Sequence, residues 1–182
     1  MNSIPDDLRK EMESHEFHKE HIREHYDEVA SKYDSIYLTA GYHDHENVLK
    51  MCEKLIPDQH IQTRPNLEVL DMGCGTGLVG EVLQKAGFDR ITGCDASKGM
   101  LDVAAKKNDG KAYVNLIELF LGTPDTFPQE LRGKFDIITA AGILAQGHLG
   151  PEVFDEMILA CKGTGSYCIF TTRDMYLTDF GY

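Results

Sequence analysis

The chain predicts an α/β fold: an open, mostly parallel sheet of about five strands with helices on both faces. Three observations carry that expectation. From residue 67 onward, short β-branched and leucine runs alternate with helical periodicities, which builds successive β-α-β units with right-handed crossovers. The first such run, Leu67 to Met72, passes into the glycine-dense turn Gly73-Cys74-Gly75-Thr76-Gly77 and then into an amphipathic helix. That order is how a Rossmann-like sheet builds a nucleotide crevice at the carboxyl end of its first strand. A length of 182 residues suits one domain with a sizeable core.

Residues 1–24 are dense in Lys, Glu, Asp and His and read as a polar arm or an exposed helix. His15, His18, His21 and His25 share a helical face, and His21-Ile22-Arg23-Glu24-His25 matches the H-x-x-E-H pattern. No third ligand supports it, so a solvated face is expected and a metal is not. Residues 25–182 form the main domain. Tyr26, Val29, Ala30 and Tyr33 recur at helical spacing, and a second helix spans His45 to Leu55 with Val48, Leu49, Cys52 and Leu55 inward. Pro57 and Pro65 bracket a loop into the first strand, 67–72. The helix after the turn runs to Ala86, where Gly87 stops it. A second strand, Arg90 to Cys94, ends on Asp95, and Ser97 caps a helix reaching Lys107. A third strand lies within Tyr113 to Leu121, and a fourth spans Phe135 to Ala140. Pro151 starts a helix, and a fifth strand spans Ser166 to Thr172.

Two carboxylates stand at strand tips. Dinucleotides bring a pyrophosphate to the glycine turn, where free N–H groups favour negative charge. Asp71 would repel it and suits a cationic amino group instead, as on the methionine end of S-adenosylmethionine. Gly75-x-Gly77-x-x-Gly80 also satisfies the dinucleotide fingerprint, a weak signal by itself. Cys74 fits inside the turn as a small side chain. Asp95, about twenty residues further on, can accept both ribose hydroxyls, or simply cap the following helix. Ala96 follows it, and Met100 offers an apolar floor for an adenine or packs in the core.

Bulk composition narrows the partners. Thirty acidic and eighteen basic residues leave a net charge of −12, which repels nucleic acids and anionic membranes. No apolar run reaches membrane-spanning length and the polar N-terminus is not a signal peptide. Five cysteines, with no C-x-x-C, point to free thiols in a reducing cytoplasm.

At Val69-Leu70-Asp71-Met72-Gly73-Cys74-Gly75-Thr76-Gly77 the chain resembles the class I S-adenosylmethionine-dependent methyltransferases, whose first motif reads apolar residues, an acid, then G-x-G-x-G. More narrowly, it is similar to animal methyltransferase-like proteins of the Williams–Beuren type and to small-molecule methyltransferases of the ubiquinone-biosynthesis type. The repeated Tyr-Asp, Gly93 to Leu101, Phe135 to Ile138, Gly142 to Gly147 and Phe170 to Arg173 carry that similarity. The resemblance implies S-adenosylmethionine as cofactor and methyl transfer to a small molecule or a protein side chain. It implies that residues 25–56 form a helical lid, in which Tyr33 either lies over the sulfonium, a favourable cation–π contact, or packs in the core of the lid. Ala140-Ala141-Gly142-Ile143 matches the small-residue lip near the methionine part. Family members often end the third strand on an acid that touches adenine. Leu119 to Thr123 offers none, which leaves the adenine to backbone groups.

The cofactor candidates are therefore Tyr33, Asp71, Gly73, Cys74, Gly75, Gly77, Asp95, Ala96, Met100 and Ala140. No catalytic residue is assigned: His43, His45 and His148 are candidate bases read as structural or exposed. There is no Asn-Pro-Pro-Tyr after the fourth strand, which disfavours amide or base nitrogens as targets. The family sheet normally ends in an antiparallel hairpin, for which a chain stopping at Tyr182 leaves no room. A shortened version of a longer protein is expected, a monomer or a dimer paired along an exposed fifth-strand edge. Two alternatives follow: a cofactor-binding protein without turnover and, remotely, an NAD-dependent oxidoreductase.

Overall fold

Five parallel strands form one sheet in the order β3-β2-β1-β4-β5. The structure, a computed structural model, describes residues 19–144 and 149–173. The strands are β1 (Glu68–Met72), β2 (Arg90–Asp95), β3 (Asn115–Glu118), β4 (Ile137–Ala140) and β5 (Tyr167–Phe170). The helices are α1 (Lys19–Val29), α2 (Tyr33–Thr39), α3 (Asp44–Leu55), α4 (Leu78–Lys85), α5 (Lys98–Ala104) and α6 (Glu152–Ala160). All strand pairs are parallel and no antiparallel pair occurs among the described residues. The architecture is the Rossmann-like open sheet expected.

Alternation along the strands splits the core between the two faces. Leu70, Met72 and Ile138 pack with Val153, Met157 and Ala160 of α6. Val69, Ile91 and Ile137 pack with Val48 and Cys52 of α3 and with Val79 and Leu83 of α4. The chain leaves β1 toward β2 on one side and reaches β4 on the other, so β1 and β4 mark the switch point where open sheets form their crevice. Register there pairs Asp71 with Thr139 of β4 and with Gly93 of β2.

Three segments differ from expectation. The helical spacing of Tyr26 to Tyr33 reads as one helix, but the chain breaks after Val29 and restarts at Tyr33, and the two halves hold different loops through Asp27 and Asp34. The helix capped by Ser97 stops at Ala104 rather than Lys107. Asn108 and Asp109 then take left-handed conformations (φ 50° and 55°) that turn the chain back, and Lys107 reaches the carboxylates of Asp34 and Glu81. The stretch between Pro57 and Pro65, expected as loop, is a 3-10 segment over Asp58–Asn66. Its Arg64, 2% exposed, donates to the carbonyls of Ile56 and Ala86 and lies 5.5 Å from the Phe88 ring centre. The connection into β1 is thereby tied to the end of α4.

β5 closes one end of the sheet, with Tyr167 40% and Phe170 43% exposed. His15, His18, Gln146, Gly147, His148 and residues 174–182, on which several expectations rest, lie outside the described residues. No helix among the described residues is long and apolar enough to cross a membrane.

Candidate functional site

A cleft of about 340 Å³ opens at the carboxyl ends of the strands, a volume at the small end of ligand pockets. Its floor comes from the tips of β1 and β2, its far wall from the segments after β3 and β4, and its roof from α1 and α2. Of the expected residues, Tyr33, Gly73, Gly75, Asp95, Ala96 and Met100 line it. Asp71, Cys74, Gly77 and Ala140 do not.

Asp95 is the best-organised polar group of the cleft. The Gly75 N–H donates to its Oδ2 at 2.9 Å, and the Ser97 N–H donates to its Oδ1 at 2.8 Å. One carboxylate therefore ties the β1 turn to the N-terminus of α5, with lone pairs left for a ligand. Burial pushes the Asp95 carboxyl above its ordinary value, against the pull of the N–H groups of Ser97, Gly75 and Ala96. Beside it, Gly75 holds φ at 52°, and a Cβ built there would meet nothing within 4 Å. The backbone at Gly75 thus fronts open space, as a cradle for a close ligand requires.

The position of Asp71 corrects the expectation that its carboxylate meets the ligand directly. The residue is 1% exposed and sits beneath the glycine turn. Tyr113 donates its hydroxyl to Oδ2 at 2.7 Å, and Thr139 donates to Oδ1 at 2.8 Å. Burial, outweighing those two hydrogen bonds, raises its pKa from 3.8 to about 6. Any effect of its charge on a ligand acts through the floor of the site.

Tyr113, which no sequence pattern singled out, explains much of the glycine spacing. Its hydroxyl also accepts the Gly80 N–H at 3.1 Å, and its ring lies where side chains on three glycines would be. A Cβ at Gly80 would fall 2.2 Å from the ring, one at Gly93 2.8 Å, and one at Gly77 2.9 Å. Gly77 and Gly80, two thirds of the apparent dinucleotide fingerprint, accommodate a tyrosine. Cys74, 6% exposed, turns inward, and burial holds its thiol well above the ordinary range. Ala140 is wholly buried in the α6-side core, while the following Ala141, Gly142 and Ile143 form the lip.

The roof is aromatic. Tyr26 and Tyr33 line the cleft, with ring centres 6.1 Å apart, and Tyr33 stacks on Tyr37 at 4.1 Å. Burial raises the phenols of Tyr26 and Tyr33, which keeps both protonated. At the rim, the Arg23 guanidinium lies 5.9 Å from the Phe120 ring centre. β3 is shorter than its apolar run suggested and ends on Glu118. That acid lies 4.0 Å from Arg23 and does not line the cleft.

Two further acids organise the walls. Asp27 Oδ1 accepts the Ser97 hydroxyl at 2.6 Å and the Gly99 N–H at 2.7 Å; these donors hold its carboxyl below the ordinary value. Glu156 of α6, 1% exposed, accepts the N–H groups of Gly122 and Thr123 at 2.8 and 2.9 Å and so shapes the segment after β3. A Glu inside the apolar run Val153 to Leu159 was the available signal for it. His43 is exposed, 3.4 Å from the Glu46 carboxylate. His45 is buried against Tyr42, and burial lowers its pKa. Neither lines the cleft.

The methyltransferase domain family matches residues 69–165, more than half of the chain. Demethylmenaquinone methyltransferase from Symbiobacterium thermophilum is 27% identical over 153 residues, 82% of this chain and 58% of that protein. Methyltransferase-like protein 27 from Homo sapiens, the Williams–Beuren region protein, is 34% identical over 105 residues, 58% of this chain and 40% of its own length. The chain therefore spans about half the length of these relatives. Among solved structures, magnesium protoporphyrin IX methyltransferase from Synechocystis PCC 6803 with bound SAM superposes with a TM-score of 0.54 at 22% identity. That match covers 76% of this chain and 68% of the other, and speaks for the fold.

Proposed function

The chain belongs to the methyltransferase domain family, and from that premise we propose that it binds S-adenosylmethionine in the cleft and methylates a small molecule or a protein side chain. The observation that carries the reading is Asp95, fixed by two backbone N–H groups at the cleft wall. A carboxylate so held keeps acceptor sites for two ribose hydroxyls at no cost in its own freedom.

S-adenosylmethionine supplies an activated methyl carbon on a cationic sulfur. The protein has to bind it, align an acceptor and keep water out. Gly73 and Gly75 let the backbone approach the ligand, and Met100, 1% exposed, provides an apolar floor for the adenine. Adenine polar atoms are left to backbone groups after β3. Tyr26 and Tyr33 close the roof, offering aromatic faces to a positive centre and neutral hydroxyls for hydrogen bonding. Among the described residues the acceptor wall is apolar, with Leu121, Ile143 and Leu149, and carries no carboxylate, imidazole or ammonium. Such a wall suits an acceptor that is already nucleophilic or that loses its proton readily.

A small-molecule acceptor gains support from this apolar wall and from the relative named for demethylmenaquinone. The net charge of −12 weighs against nucleic acid and membrane partners. Free thiols at all five cysteines support a cytoplasmic location. The exposed β5 edge supports a monomer–dimer equilibrium, which sedimentation at two concentrations reads directly.

Calorimetry with S-adenosylmethionine, S-adenosylhomocysteine and NAD tests the cofactor. Heat from the first two, and none from NAD, is expected; the reverse pattern would overturn the proposal. Transfer of a labelled methyl group into a fractionated cell extract then tests turnover, and binding without transfer would leave a cofactor-binding protein.

A further inference from the structure

Two Tyr-Asp dipeptides, Tyr26-Asp27 and Tyr33-Asp34, stand seven residues apart in the lid. Each tyrosine lines the cleft, and each aspartate grips a different loop beneath. Asp27 takes the Ser97 hydroxyl and the Gly99 N–H at the start of α5, directly after the Asp95-Ala96 wall. Asp34 takes the Thr76 hydroxyl at 2.5 Å, between Gly75 and Gly77 of the β1 turn, and pairs with the Lys107 ammonium.

We propose that Asp27 and Asp34 are positioning residues that latch the α1–α2 lid to the two loops holding the cofactor, so that ligand release requires both carboxylates to let go. The inference rests on the S-adenosylmethionine reading of the cleft. Three features favour a latch over ordinary surface hydrogen bonds. The donors belong to the loops that form the site, one on each side of Asp95. The lid backbone is drawn in closely: a Cβ at Gly99 would lie 3.0 Å from the Asp27 Cα, so any larger residue there would press the lid outward. Finally, no residue of α2 is fully buried: Tyr33, Ile36 and Tyr37 are half-buried, so the polar grip of Asp34 adds to a partial aromatic packing.

The Ser97 hydroxyl links the two levels. While donating to Asp27 it accepts the Met100 N–H at 3.0 Å, so the first turn of α5, carrying an adenine-floor residue, is bonded in series with the lid. Loosening Asp27 frees the adenosine side, and loosening Asp34 frees the turn on the opposite side.

The test is the rate at which S-adenosylhomocysteine leaves the full chain, followed by stopped-flow displacement, with association measured in parallel. Asp27→Ala and Asp34→Ala are each expected to speed release by about tenfold or more, the loss of charge-assisted hydrogen bonds, while association holds or quickens. Asp27→Asn, whose amide oxygen still accepts both donors, is expected to restore slow release; Asp34→Asn, without the charge facing Lys107, is expected to fall between. Hydrogen exchange should rise over α1 and α2 in the alanine variants and stay unchanged over β1 and β4. Should an alanine variant fail to fold, lid exchange and release in Asp34→Asn decide. Unchanged release with an unchanged lid overturns the latch. A wild-type chain that takes up neither nucleoside overturns the cofactor reading instead, so the two failures are distinct.

Discussion

The Asp71 carboxyl, raised from 3.8 to about 6 by burial, binds its proton more tightly in the folded chain than in the unfolded one. The stabilisation from that proton is complete below the unfolded value and is lost as pH rises through about 6. Against an Asp71→Asn control, the wild type should therefore lose about 2 kcal/mol of relative stability between pH 4 and pH 7. Urea melts at both pH values read it, and a flat difference would refute it. Asp95 is the residue for the ligand. Asp95→Ala should weaken S-adenosylmethionine by about 1.5–3 kcal/mol in calorimetry, and unchanged affinity would remove its ribose role. At this scale sequence reading found the two acids, because both follow apolar runs and precede helices. The burial of Asp71 was not legible, since it depends on register with Thr139 and on Tyr113, distant along the chain.

The β1 turn, α4 and the β2 strand share one tyrosine ring. Gly80→Ala would place a methyl 2.2 Å from the Tyr113 ring, an overpacking expected to cost about 1–3 kcal/mol. In a double-mutant cycle with Tyr113→Ala most of that penalty should vanish, because the ring that meets the methyl is gone. Ser97→Ala removes the α5 cap and the hydroxyl given to Asp27, for an expected loss of about 1 kcal/mol or more in denaturant unfolding. The strands and the helices after the turn were legible, each having its own periodicity and a cap or stop residue. The break between α1 and α2 was not: neither proline nor glycine marks Ala30 to Lys32, and the contacts of Asp27 and Asp34 on either side of it join residues distant along the chain.

On the scale of the whole molecule, sheet order follows from chirality and from the position of the glycine turn, so the fold class was readable before any coordinate. The lid's attachments were not, since they join residues that are far apart in sequence: Asp27 meets Ser97, and Asp34 meets Thr76. A chain with thirty acidic and eighteen basic residues should show no retardation of duplex DNA in gel-shift assays near 0.1 M salt; a salt-sensitive complex would point to a basic surface and reopen nucleic acid as a partner. The ring of Tyr113 also has a bearing on descent. Positions 80 and 113 are sterically one unit, so lineages should exchange them together. Homologues that have lost the phenol are free to carry alanine at position 80, and those that keep it are not.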